Sequence, residues 1–252
     1  MPSLRELITR VKTIGTNVPI TPWPGSVSLL EDFWCYNHRP EDAELSLRKQ
    51  VKLLQGRYFN LNLIRVGDDL LTDDRGKRIN GAAHQVREIY AAFDIGVVRL
   101  SHHVVTTENA NGHDQIDSDE EASDLTNEWT VHNDGLDVFL VARHWSNEDP
   151  DVVTGGLSPK EGTCDKDDAK TTTGLLVSTN NSVRTTGLIM AHELGHYFGL
   201  PHKPDKKIGE VEQSDVTAEN IKNLMFPLQI GGSQLTNNQL ADVRDHCFIH
   251  GD

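Results

Sequence analysis

Apolar and polar residues trade places along Phe59-Asn60-Leu61-Asn62-Leu63-Ile64-Arg65-Val66, close to the two-residue period of a strand, and Gly67-Asp68-Asp69 ends it in a turn. From Ile79 to Phe93 the period lengthens, because Ile79, Ala83, Val86, Tyr90 and Phe93 fall on one helical stripe. A second strand opens at Gly96-Val97-Val98-Arg99-Leu100 and runs on through Val104-Val105. Leu136-Asp137-Val138-Phe139-Leu140-Val141 is the most apolar of these runs, and a strand covered on both faces reads this way, which places it at the centre of a sheet. Gly174-Leu175-Leu176-Val177-Ser178 predicts a further buried strand, leading through Asn180-Asn181 into a helix. Between these two, Val152 to Pro159 is short and broken by Gly155, Gly156 and Pro159, as edge strands often are.

The flanks are less regular. Leu4, Leu7, Ile8 and Val11 suggest a short helix, and Pro19, Pro22, Pro24 and Gly25 then break regular structure. Leu45, Leu47, Val51 and Leu54 predict an amphipathic helix from Glu41 to about Gln55. Residues 107–128, with Asp114, Asp117, Asp119, Glu120, Glu121 and Asp124, read as a solvated acidic loop, and carboxylates at this density are also candidates to hold calcium. Near the end, Thr236-x-x-Gln239 is a capping-box pattern ahead of Leu240 and Val243 and predicts a last helix.

Composition narrows the class. With 252 residues, 37% hydrophobic and 25% charged, the chain can bury a proper core. A formal net charge of −14 argues against nucleic acid and against anionic membranes as partners, since no basic field exists to meet their phosphates. The opening residues Met1 to Arg10 lack the apolar core of a secretory signal, so at face value the expectation is a cytoplasmic chain with no export address. The three cysteines, Cys35, Cys164 and Cys247, make no disulfide framework; free thiols are the first expectation and a Cys164–Cys247 bridge the alternative.

The chemistry concentrates in Ala191-His192-Glu193-Leu194-Gly195-His196-Tyr197-Phe198-Gly199-Leu200-Pro201-His202. Side chains four apart share one helix face, so His192 and His196 can present ring nitrogens to one metal ion. A third ligand at 202 cannot come from the same helix, because six further residues would carry it about 9 Å along the axis. The helix must stop. Gly199 suits a left-handed stop and Pro201 prevents resumption, so the chain can return with His202. Three neutral imidazoles leave a fourth zinc position to water, the arrangement of a catalytic site, with Glu193 placed to take the proton of that water and later deliver it to a leaving amine.

This run, His-Glu-x-x-His-x-x-Gly-x-x-His, is similar to the signature of the metzincin clan of zinc metallopeptidases, and Asn223-Leu224-Met225-Phe226-Pro227 resembles the methionine turn of that clan, closest to the matrixin form. The resemblance implies an α+β fold whose upper half is α/β: a twisted, mostly parallel sheet with an antiparallel edge strand, a backing helix, an active-site helix, and a smaller irregular lower part with a C-terminal helix. It implies one catalytic zinc on His192, His196 and His202, Glu193 as general base, Met225 as an apolar floor beneath the metal, and peptide or protein substrates. It further implies that Gly155, Gly156 and Leu157 pair with an extended substrate and that Pro227, with Leu228 and Gln229, lines the pocket for the residue after the scissile bond. Several metzincins carry a tyrosine two residues after the turn methionine; Pro227 stands there in this chain, which excludes any scheme using that tyrosine.

On this reading residues 1–57 are an N-terminal segment, a helical extension or a pro-region, ahead of a catalytic domain over 58–252. Most members of the clan act outside the cell, so the resemblance keeps secretion open as the alternative to the cytoplasmic expectation. Cys35, among Phe33, Trp34 and Tyr36, reads as a packing residue, with a zinc-plugging latency role as the alternative. His84, His102, His103, His113, His132 and His144 show no second ligand spacing. Three functions stay open at this stage: a zinc endopeptidase, a catalytically silent metal-bearing binding protein on the same scaffold, and a zinc hydrolase acting on a non-peptide amide.

Overall fold

A computed structural model describes residues 56–144, 155–166, 173–228 and 232–251. The expected helices over 3–11 and 41–55, Cys35, the start of the glycine-broken strand and Gln229 all lie outside the described residues. In chain order the regular elements are β1 (Arg57–Val66), α1 (Asp73–Ala91), β2 (Ile95–Val105), α2 (Thr107–Ala110), β3 (Gln115–Ile116), α3 (Asp119–Glu128), β4 (Gly135–Val141), β5 (Arg143–His144), β6 (Gly156–Leu157), β7 (Gly174–Ser178), α4 (Val183–Tyr197) and α5 (Asn237–Asp245), with short 3-10 turns between several of them.

The main sheet has the order β2-β1-β4-β7-β6, with all pairs parallel except β6, which lies antiparallel to β7 at the edge. β4 is the central strand and is buried along its whole length, because both faces are covered. Leu61, Leu63, Val138, Leu140, Leu175 and Val177 turn to one side, where α1 and α4 pack with Val86, Tyr90, Met190 and Leu194. The intervening residues Ile64, Val66, Phe139, Val141 and Leu176 turn to the other side, onto Ala122 and Leu125 of α3. The fold is thus the mixed α/β arrangement expected, a mostly parallel sheet with one antiparallel edge strand.

α1 begins six residues before its apolar stripe. Thr72 caps it by accepting from the Arg75 N–H at 3.3 Å, and Asp73 and Asp74 occupy the first turn, where carboxylates favour the helix dipole. α1 carries α4. A Cβ on Gly187 would fall 2.8 Å from the Ala82 carbonyl oxygen, so the two helices meet where the side chain is missing, and the buried Tyr90 hydroxyl donates to the Ala191 carbonyl at 3.0 Å.

Two expectations need correction. The acidic stretch 107–128 is not a loop, since it holds α2, β3 and α3. Its charges crowd the first turn of α3, where Ser118 accepts from the Glu121 N–H at 3.1 Å, while Ala122, Leu125 and Thr126 are buried beneath. Among the described residues its carboxylates form no group able to hold an ion. Cys164 and Cys247 are not free thiols: they are disulfide-bonded, with Cα atoms 6.1 Å apart, because the fold brings the chain after β6 against the end of α5.

The same stretch plugs the bottom of the sheet. Lys166 reaches Asp137 Oδ1 at 2.9 Å and the Val131 carbonyl at 2.7 Å, and also contacts the Gly135 carbonyl; Asn62 donates to Asp137 at 2.6 Å. Burial pushes the Asp137 carboxyl up and the Lys166 ammonium down, each opposed by its partner. Removing one member leaves the other charge stranded, so Lys166→Met is expected to cost about 3–5 kcal/mol, read from the midpoint and slope of urea unfolding.

His102 and His103 in β2 are both held at about 4, first by burial and then by neighbouring cations, Arg65 foremost for His102 and Lys166 for His103. The folded rings stay neutral while those of the unfolded chain protonate near pH 6.5, so this contribution to stability is lost as pH falls from about 6.5 to about 4. Unfolding midpoints across that window should fall less steeply in His102→Gln/His103→Gln than in the parent chain.

Candidate metal centre

α4 starts at a Ser182 cap, whose hydroxyl accepts from the Thr185 N–H at 3.1 Å. It ends as the sequence requires: Gly199 takes φ +92°, its N–H donates to the His196 carbonyl at 2.8 Å, and the Leu200 N–H donates to Gly195 at 2.9 Å. The outer carbonyls at this end are met from elsewhere. Glu161 N–H donates to His196 at 2.9 Å and Gly162 N–H to Tyr197 at 2.7 Å, so the loop after β6 closes the helix terminus.

The chain then returns and the three histidines come together. Each ring is held from behind, with Nδ1 of His192 on the Leu224 carbonyl at 2.7 Å, that of His196 on Leu200 at 2.8 Å, and that of His202 on Lys206 at 2.9 Å. A carbonyl only accepts, so every Nδ1 carries the proton and every Nε2 presents a bare lone pair. Those lone pairs converge, with His202 Nε2 3.3 Å from that of His192 and 3.0 Å from that of His196. Three acceptors facing one another without a proton between them are a donor set for a cation, and the side chains form a group able to hold a metal ion. Burial, and then mutual repulsion and nearby charges, pushes His192 to about 3 and His196 to about 4 and lowers His202, so the rings stay neutral, the form that ligates.

Glu193 follows the first of these rings and is 4% exposed; burial raises its carboxyl to about 8. β6 passes directly over it. A Cβ on Gly156 would lie 2.6 Å from Glu193 Cγ, 2.9 Å from its Oε1 and 2.8 Å from the Leu176 carbonyl oxygen, so only glycine fits at this point of the edge. Gly156 pairs with Val177 and Leu157 with Leu176, the Ser178 N–H donates to Gly155 at 2.9 Å, and the far side of β6 takes no strand among the described residues.

Of the other sequence candidates, Met225 is fully buried beneath α4, its sulfur where a Cβ on Gly195 would otherwise be. Pro227 is buried and Leu228 half-buried. The remaining histidines do not gather: among the described residues the only other group close enough to hold an ion is Cys164, His246 and Cys247, whose sulfurs are already bonded to each other.

The support behind the turn had no signal in the local sequence. Asn223 Oδ1 accepts from the Met225 N–H at 2.9 Å, and its amide exchanges hydrogen bonds with Gln239, at 2.8 Å from Asn223 Nδ2 and 3.2 Å from Gln239 Nε2. Gln239 also completes the capping box of α5 with Thr236. The last helix therefore braces the turn whose Leu224 carbonyl orients His192, and the Met225 carbonyl accepts from the Lys203 N–H at 2.8 Å, tying the turn to the strand of chain that bears His202.

The family profile described as Reprolysin_5, metallo-peptidase family M12, matches residues 68–237. No curated protein matches the chain. Among solved structures, metalloproteinase-II from Bacteroides fragilis is similar over 73% of this chain at 12% identity and a TM-score of 0.41, and the chain spans 52% of that protein's length. The family match runs from the turn after β1 to the start of α5 and takes in all three histidines, Glu193 and Met225: the chain belongs to metallo-peptidase family M12.

Proposed function

We propose that this protein is a zinc-dependent endopeptidase of the metzincin type, in which His192, His196 and His202 hold the metal and Glu193 is the general base. The observation that carries this reading is the convergence of three unprotonated ring nitrogens beside a buried carboxylate, under an edge strand whose outer side pairs with no other strand among the described residues. The donor set fits zinc: ligand nitrogens about 2.0–2.1 Å from a tetrahedral ion stand about 3.3 Å from each other, close to the separations found. When bound, zinc lowers the pKa of a coordinated water to about 7 and polarises the scissile carbonyl.

The chain's own residues supply the rest. The outer edge of β6 offers backbone donors and acceptors to an extended peptide, and Gly156 brings the reacting carbonyl close to Glu193. Glu193 takes a proton from the attacking water and passes it to the departing amine, so no covalent acyl-enzyme forms. Burial raises its proton affinity, which favours the first transfer. Met225 serves as the apolar floor under the ligands, and Pro227 and Leu228 as part of the wall facing the residue after the scissile bond.

Glu193→Gln should retain one zinc per chain by metal analysis and lose kcat by about 10²–10⁴-fold on a denatured protein substrate. Chelation should abolish cleavage by the parent chain, with zinc restoring it. Undiminished turnover in Glu193→Gln would refute the mechanism.

Gly156→Ala tests the edge. The added methyl meets Glu193 and the Leu176 carbonyl, so kcat/KM should drop at least about tenfold while bound zinc stays stoichiometric. An unchanged kcat/KM would remove β6 from the substrate site.

A further inference from the structure

Resting on that peptidase reading, the structure goes further and points to which peptides the site favours. We infer that Lys160 is a specificity-determining residue that selects substrates with an acidic side chain within the first three residues on the amino side of the scissile bond.

The direction follows from β6. Gly156 lies against Glu193, which fixes where the reacting bond sits. A peptide added to the outer edge of β6 pairs more stably when antiparallel. It then runs against the chain direction of β6, so the residues before its scissile bond extend past Leu157 and Pro159 toward Lys160. At about 3.3 Å per residue, Lys160 lies no more than about 13 Å along the chain from Gly156, within reach of those positions given its long, flexible side chain.

Lys160 is exposed, and no hydrogen bond or ion pair among the described residues engages it. Its backbone is nonetheless fixed. Glu161 follows in the left-handed region at φ +62°, and its N–H is bonded to the His196 carbonyl, which pins the turn to the end of the metal-binding helix. Glu161, the next residue, packs its side chain over Gly199. Of the lysines that follow His202, Lys203 pairs with Glu219 and Lys206 with Asp215 and Glu212, and Lys207 is engaged as well.

Lys160 therefore supplies an exposed positive charge four residues beyond Gly156, without an ion pair among the described residues, in a chain of net charge −14. A substrate carboxylate there gains an ion pair with the ammonium, while a substrate ammonium meets repulsion. The carbonyls and N–H groups of β6 bind any extended chain alike, so on the amino side of the bond the side chains beside the strand are left to discriminate.

The test uses the full zinc-loaded chain and matched fluorogenic peptides carrying Glu, Gln or Lys at each of the three positions before, and the three after, the bond cut. Exposed ion pairs are weak, so kcat/KM should favour Glu over Lys by about tenfold at one or more of the amino-side positions at low salt, and less at high salt. Lys160→Gln should erase that ratio and Lys160→Glu reverse it. An acidic preference confined to the carboxyl side, or one that survives in Lys160→Glu, overturns the inference while leaving the peptidase reading intact. Failure of the zinc-loaded parent chain to cut any peptide overturns both.

Discussion

Three imidazoles can aim bare nitrogens at a single point only if something behind each ring takes up its other nitrogen, and here the carbonyls of Leu224, Leu200 and Lys206 do so. None of these carbonyls is free to be satisfied within a helix. Leu200 follows the left-handed Gly199, Lys206 lies in the loop beyond His202, and Leu224 belongs to the turn before Met225. The irregular backbone around α4 is therefore a set of acceptors held in fixed directions, and the sheet and α1 are what keep α4 still enough for those directions to matter.

The upper and lower parts of the fold meet at this point by different means. Above, packing dominates: Tyr90 and Gly187 seat α4 on α1, and Tyr90, Phe59 and Phe198 meet edge to face. Below, hydrogen bonds dominate. The Asn223–Gln239 amide pair is buried, so each partner left unsatisfied would carry a desolvation cost, and this makes the pairing specific. The hydrophobic contacts set where α4 lies, and the polar ones set how its first ligand is turned.

Much of this was legible in the residues. β1, β2, β4 and β7 follow from hydrophobic runs, and the stop after α4 follows from Gly199 and Pro201, since a third ligand at 202 demands it. The Thr236–Gln239 cap was likewise a local pattern. α3 was hidden because charge was the stronger signal: Asp119, Glu120 and Glu121 outweigh a stripe as short as Ala122 and Leu125. The Cys164–Cys247 bond, the Lys166–Asp137 peg and the Asn223–Gln239 brace join positions distant in sequence, and periodicity carries no record of such pairings. Gly156 was recognisable as part of an edge, but the glycine is required by the Glu193 carboxylate lying beneath it, which only the assembled fold displays.

The covalent link between Cys164 and Cys247 joins positions 83 apart in sequence, and His192, Glu193, His196, His202 and Met225 all lie within that ring. When this part of the molecule opens, the tethered donors remain confined to a smaller volume than a linear chain would explore. Their mutual effective concentration stays high, so recapture of a departing cation competes better against escape, and the cross-link extends the lifetime of the loaded state without touching any ligand.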